Sequence, residues 1–231
     1  MTLGAATAAG PGWAPSSPSL RAGLRVAVVD YGAGNLVSIA QGLEAIGAVP
    51  RVATGPAGLR AADALIVPGV GAAAPAMRRL AKAGLVEPIR GWIADARPYL
   101  GICLGLQLLF ETSDEDGAEM LGVIPGRVVE LRDAPTLPHI GWNQVDLARA
   151  HPLFDGIESG TDLYFVHSYA GDPDPARAGD VALASTTHGG TFVSAVAVGS
   201  VAGVQFHPER SGSAGLRILA NFARSAALSL A

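Results

Sequence analysis

Cysteine is almost absent from this chain of 231 residues: Cys103 is the only one. No internal disulfide is therefore possible, which fits a reducing compartment, and a cytoplasmic location is expected. No cluster of histidine or cysteine has the spacing of a zinc site, so no metal is expected. Charge is scarce as well, at 16% of residues with a formal net charge of −4. That balance leaves no basic footprint for nucleic acid. No apolar run reads as a membrane span. The one nearest the C-terminus, residues 214–231, is interrupted by Arg217, Asn221 and Arg224 and reads as an amphipathic closing helix. Residues 1–23 carry a single charge, Arg21, and have neither a basic start nor a sustained apolar segment, so a signal peptide is not expected. Their Ala, Gly, Pro and Ser composition reads as a flexible extension. Residues 24–231 are then expected to form one domain, with no linker and no internal repeat.

Apolar residues make up 49% of the chain, enough for one large core. Leu24 to Val29 reads as a buried first strand, followed by the turn Asp30-Tyr31-Gly32-Ala33-Gly34-Asn35. Asn35 is placed to cap a helix from Leu36 to Ile46, which Gly47 stops. The glycine turn resembles the start of a dinucleotide-binding fingerprint, but its third glycine is missing, so a tight strand-to-helix turn is the plainer reading and no cofactor is expected. Pro50 to Ala53 and Ala62 to Val67 read as the next strands, the latter running into Pro68-Gly69-Val70-Gly71. Two helices, about 73–83 and 85–96, follow. Strands alternating with helices predict a parallel sheet covered on both faces, with ligands beyond the carboxyl ends of its strands. After Phe110 the pattern changes. Residues 111–117 read as acidic and irregular. From Arg127 onward come six strand-like runs without long helices: 127–131, 140–145, 162–167, 181–186, 192–198 and 202–206. That half reads as antiparallel or mixed sheet beside the first.

Chemistry concentrates at Gly101-Ile102-Cys103-Leu104-Gly105-Leu106-Gln107, where an apolar run ends and a helix-like run begins. A Gly-x-Cys-x-Gly turn of this kind is a nucleophile elbow, which lifts its central side chain above a sheet. Any Cβ at the two glycines would crowd the turn. A lone cysteine is ordinarily a small buried hydrophobe, but this setting makes Cys103 a nucleophile at a helix start, where the dipole favours thiolate. The Leu104 N–H would meet an oxyanion formed there, and Val70 or Gly71 could supply a second N–H. Gln107, four residues beyond Cys103, shares its helix face; its amide could bond a substrate or simply be a buried polar group. Near the end of the chain, Phe206-His207-Pro208-Glu209 adds an imidazole with a carboxylate two residues away. A carboxylate beside a histidine fixes its tautomer and stabilises its charged form. Cys103, His207 and Glu209 thus read as nucleophile, base and orienter. The other histidines have no ligand spacing. His151 and His188 read as solvated loop residues, and His139 and His167 as sheet-edge groups facing the interior, a partner or a substrate.

The elbow with His-Pro-Glu resembles the class I glutamine amidotransferases. The stretches Asp30-Tyr31-Gly32-x-Gly34-Asn35, Pro68-Gly69-Val70-Gly71, Leu137 to Asn143 and Tyr164 to Tyr169 are similar to one branch of that family, the glutaminase subunits of imidazole glycerol phosphate synthase. The likeness runs from about residue 25 to the C-terminus. It implies a three-layer α/β fold, with a central, mostly parallel sheet between helices and a smaller, mainly antiparallel sheet. It implies hydrolysis of glutamine through a γ-glutamyl thioester on Cys103, with Gln107 and Glu115 holding the amino-acid end and the Ser168 region closing the pocket. It also implies a heterodimer with a (β/α)₈-barrel cyclase that receives the ammonia, contacted near Asn35, Trp142, Tyr164 and Arg210. Three positions depart from the common pattern: Arg210 where lysine is frequent, Ala33 where a bulkier residue or proline is usual, and Ala73 where an aromatic is common. A glutaminase of another synthase and a non-catalytic subunit of the same fold are the competing expectations.

Overall fold

The computed structural model describes residues 23–229. The extension expected over residues 1–23 lies outside them except for Gly23. In chain order the elements are β1 (Arg25–Val29), α1 (Leu36–Ala45), β2 (Val49–Ala53), α2 (Pro56–Arg60), β3 (Ala64–Gly69), α3 (Ala73–Lys82), α4 (Val86–Ala94), β4 (Tyr99–Cys103), α5 (Leu104–Gln107), β5 (Phe110–Ser113) and β6 (Ile124–Glu130). They continue with β7 (His139–Leu147), β8 (Thr161–His167), β9 (Tyr169–Pro173), α6 (Ala178–Val181), β10 (Ala182–His188), β11 (Gly190–Val198), β12 (Val201–Val204) and α7 (Gly212–Leu228). Short 3-10 turns cover Pro152–Phe154 and Pro208–Arg210.

One nine-stranded sheet, ordered β2-β1-β3-β4-β12-β11-β10-β7-β8, organises the molecule. Its first five strands are parallel to one another. The rest pair antiparallel. Alternation along the strands splits the core. Val26, Val28, Ile66, Leu100 and Ile102 pack on one face with Ile39, Leu43, Ile218 and Phe222. Ala27, Val29, Leu65, Val67 and Tyr99 pack on the other with Leu80, Ile89 and Trp92. β1, β3 and β4 are near-continuous apolar runs because a parallel strand between helices is buried on both sides. Local chemistry sets the boundaries: the Asn35 side chain accepts from Ser38 N at 3.4 Å to cap α1, and Gly47 takes φ +85° to end it.

Several sequence expectations need correction. The second half does lie as antiparallel and mixed sheet beside the first, and most of it extends the same sheet, with β12 beside β4 and then β11, β10, β7 and β8. A separate sheet has three strands, β5-β6-β9, with β5 parallel and β6–β9 antiparallel. Residues 110–113, at the start of the stretch read as irregular, are β5, because Phe110 is fully buried and anchors that sheet. The helix after the elbow is a single turn of four residues, far shorter than the apolar run suggested. His188 is no solvated loop residue: it ends β10 and stacks on His139 with ring centroids 4.0 Å apart. His151 does lie in a loop, half-buried, its Nδ1 accepting from Leu153 N at 3.2 Å.

Candidate active site

The carboxyl ends of β4 and β12 meet at the site. The strands run side by side with Gly101 opposite Gly203 and Ile102 opposite Val204. This carries Gln205, Phe206 and His207 past Cys103. Cys103 takes φ +54° and ψ −109°, a conformation unusual for a non-glycine residue and a mark of strain held in place at functional turns. The tightness of the turn is visible at its glycines. A Cβ on Gly105 would fall into the carbonyl of Val67, and one on Gly101 into that of Gly105. Tyr99 completes the clamp, its hydroxyl donating to the Gly105 carbonyl at 3.0 Å.

His207 Nδ1 lies 2.9 Å from Glu209 Oε1, and both side chains are almost fully buried. Burial opposes a charged imidazole, but Cys103 and Glu209 outweigh it and carry the His207 pKa up to about 10. Nε2 has no hydrogen-bond partner and is the nitrogen left to serve the sulfur. The turn holding this pair is itself tied down. His207 N donates to Tyr164 O at 2.8 Å, Tyr164 N donates to Ser211 Oγ at 2.9 Å, and Ser211 Oγ donates to His207 O at 2.7 Å. Ser211 was not legible as a site residue; only the fold brings it beneath the turn.

The residues expected to face an oxyanion lie at the ends of β3 and β4. Leu104 follows Cys103 directly. β3 pairs with β4 as far as Gly69 opposite Cys103, so Val70 and Gly71 leave the sheet beside the nucleophile. Val70 is half exposed and Gly71 takes φ +92°. Against Gly69 lies the hydroxyl of Tyr31, buried and without a hydrogen-bond partner; burial, and after it the nearness of Cys103, raises its pKa. The dipole expected to favour thiolate is not built up, since a one-turn helix aligns few peptide units. In its place a side chain missed by the sequence reading reaches the sulfur: Gln205 Nε2 donates to Cys103 Sγ at 3.5 Å.

The expected glutamine contacts are arranged less simply. Gln107 is buried, and its Nε2 donates to Tyr169 O at 2.7 Å and to Gln205 Oε1 at 3.1 Å. Both of its N–H donors are thus taken by the protein. Glu115 is exposed on the turn after β5, its backbone N donating to Ser113 Oγ at 3.3 Å. Burial, and secondly Asp116, raises its pKa. Ser168 is half-buried between β8 and β9, with its carbonyl accepting from Leu131 N at 2.9 Å. Three of the residues expected at a partner contact stack on one another. Trp142, opposite Tyr164 in the β7–β8 ladder and 56% exposed, meets it edge to face at 6.0 Å. Arg210 lies over the Tyr164 ring at 4.3 Å. A planar guanidinium stacks there in a way an ammonium cannot. Asn35 is exposed at the head of α1. Among the described residues no group of three or more His, Cys, Asp or Glu is arranged to hold a metal ion, and no helix is long and apolar enough to cross a membrane.

The profile of the family "Glutamine amidotransferase class-I" matches residues 27–226. The chain belongs to that family. Solved structures share the fold at low identity. They include a glutamine amidotransferase (TM-score 0.69, 18% identity, 87% of this chain and 98% of that one), and PurLQS from Thermotoga maritima (TM-score 0.67, 19% identity, 86% and 96%). Within the family it falls among the HisH subunits of imidazole glycerol phosphate synthase. It is 47% identical to that of Microcystis aeruginosa over 201 residues, covering 85% of this chain and 93% of the relative. It is 46% identical to that of Syntrophotalea carbinolica, covering 85% and 98%.

Proposed function

We propose that this chain is the glutamine amidotransferase subunit of an imidazole glycerol phosphate synthase, working in histidine biosynthesis through Cys103, His207 and Glu209. The observation that carries the assignment of residues is the buried His207–Glu209 pair at 2.9 Å, in the turn that follows the strand paired with that of a strained, glycine-clamped cysteine. Glutamine lies with its side-chain amide over Cys103, and the thiolate attacks the amide carbon. The resulting oxyanion is held by the N–H of Leu104 and by one from the Val70–Gly71 loop. A donor of this kind is worth about 2.7–4 kcal/mol in the barrier. The carbon–nitrogen bond breaks as His207 passes its proton to the leaving nitrogen, giving ammonia and a γ-glutamyl thioester. His207 then takes a proton from water, whose oxygen attacks the thioester to release glutamate and restore the thiol. Glu209 keeps the imidazole in the tautomer that leaves Nε2 facing the sulfur. Gln107, Glu115 and the Ser168 region bound the pocket for the amino-acid end.

Ammonia is useful only if kept unprotonated and out of bulk water, so the site must be covered by a partner. The stack of Trp142, Tyr164 and Arg210, together with Asn35, is what we assign to the contact with a (β/α)₈-barrel cyclase. Aromatic and arginine side chains are the usual anchors of such contacts. The lone cysteine suits a cytoplasmic setting. The test is glutamate release from glutamine by this chain alone, then with the cyclase and a ligand of the cyclase active site. Low activity alone and strong stimulation in the complex is the expected result. Full activity indifferent to that partner would assign the chain to another synthase, and none in either state would favour a non-catalytic role.

A further inference from the structure

Seven buried or half-buried groups form one hydrogen-bonded line from β7 to the nucleophile. Asn143 Nδ2 donates to Thr187 O at 3.0 Å and lies 3.1 Å from His139 Nε2. His139 Nδ1 lies 3.1 Å from His167 Nε2, and His167 Nδ1 lies 2.9 Å from Tyr169 O. Gln107 Nε2 donates to the same Tyr169 carbonyl and to Gln205 Oε1, and Gln205 Nε2 donates to Cys103 Sγ.

The line has a single consistent assignment of protons. A carbonyl only accepts, so His167 carries its proton on Nδ1 and accepts at Nε2. His139 must then donate from Nδ1 and accept at Nε2, which requires an N–H from Asn143. The backbone fixes Asn143 independently, because its Oδ1 accepts from Gln144 N at 2.8 Å. From the other end, the two N–H groups of Gln107 are spent on Tyr169 O and Gln205 Oε1. Gln205 is wholly buried, and with its oxygen committed to Gln107 its amide nitrogen can point only at the sulfur. Burial, and secondly His188, lowers the His139 pKa to about 4. Burial lowers that of His167 to about 3, with Tyr169 O opposing. Both rings therefore stay neutral at ordinary pH, as the assignment demands.

From this geometry we infer that Gln205 is a positioning residue for Cys103: its amide, turned by Gln107 and the neutral histidine pair behind it, donates to the sulfur and holds it for attack. An N–H donor favours sulfur carrying negative charge, and it costs no reorganisation because its orientation is fixed beforehand. The inference rests on Cys103 being the nucleophile proposed above. It explains why a buried glutamine sits beside a thiol, and it gives Gln107 a task inside the protein apart from any substrate contact.

The experiment uses the full chain in complex with its cyclase. Gln205→Met removes the donor at similar length, and kcat for glutamine hydrolysis should fall about tenfold with KM within about twofold. Alkylation of Cys103 by iodoacetamide in the absence of glutamine, followed by mass spectrometry, should slow alongside. Gln107→Met, which leaves Gln205 unanchored, should lower both rates. The double variant should be no worse than Gln205→Met alone, because the two groups act in series. If Gln205→Met does not fold, the alkylation rate of Gln107→Met, measured without glutamine and so blind to any substrate contact, carries the test, and an unchanged rate overturns the inference. Unchanged kcat and alkylation in the folded variants, or effects that multiply in the double variant, overturn the inference. Cys103→Ala separates the two readings: residual full glutaminase activity there would remove the nucleophile itself, whereas its loss, with Gln205→Met unaffected, would remove only Gln205.

Discussion

Glu209 gives one carboxylate oxygen to His207, and its other oxygen is buried without a partner. Such an arrangement is held for its charge. Glu209→Gln keeps the shape and an acceptor but removes that charge, and it permits the wrong imidazole tautomer. The expected loss in kcat is about a hundredfold or more with little change in glutamine KM, read by steady-state glutaminase assay in the complex. Wild-type kcat in this variant would contradict the role given to the carboxylate. The three residues of this set are visible in sequence because the chemistry there leaves local signatures: glycines on both sides of Cys103, and a proline fixing the short step from His207 to Glu209. Gln205 has no such signature. What distinguishes it is the register of β12 against β4, which brings position 205 to position 103. The same holds for His139, His167 and His188, far apart in sequence and brought together by strand pairing and ring stacking.

The elbow is an element whose packing leaves no room for a methyl group. Gly105→Ala is expected to destabilise the protein by roughly 3 kcal/mol or more, since its Cβ would meet the backbone of β3, which cannot rotate away. Gly91→Ala is the matched control. Gly91 lies on the exposed side of α4 with open space around it, and the change should stabilise by about 0.5–1 kcal/mol. Thermal melts of the two variants check both signs; equal and small shifts would contradict the steric argument. Regular elements with a clear period were legible: the buried strands β1, β3 and β4, the capped α1, and the closing helix α7. β5 and β9 were not. β5 lies within a charged stretch and is held by Phe110, and β9 follows β8 after a single residue, so no turn signal separates them.

Across the whole molecule, buried histidines tie stability to pH from both sides. His207 is raised to about 10. Its contribution is complete below the ordinary histidine value of about 6.5 and is lost as pH rises from there through about 10. His139 and His167, lowered to about 4 and about 3, act in the opposite sense. The unfolded chain gains protons below about 6.5 while the folded one refuses them, so stability falls as pH drops toward 4 and the loss ends near 3. A maximum in Tm near neutral pH is expected, measured at constant ionic strength from about pH 4 to 10. His167→Gln should make the acid limb shallower while leaving the alkaline one, with His139 keeping its share, and a wild-type Tm independent of pH over that range would contradict the account. The alternation of strand and helix patterns foretold an α/β chain with its sites at strand ends. It did not foretell that the antiparallel half continues the parallel sheet, because strand order depends on pairing between distant segments.

That strand order has a consequence for the newborn chain. β4 with Cys103 leaves the ribosome well before β12 and the turn after it; the Gln205–Cys103 contact spans 102 positions. Because β12 must insert between β4 and β11, the cysteine stays without the imidazole and the amide beside it until about a hundred further residues have emerged. Contacts between such distant segments form late, after the loop between them has closed. The nascent chain thus carries a cysteine that stays inert toward glutamine until β12 closes the sheet.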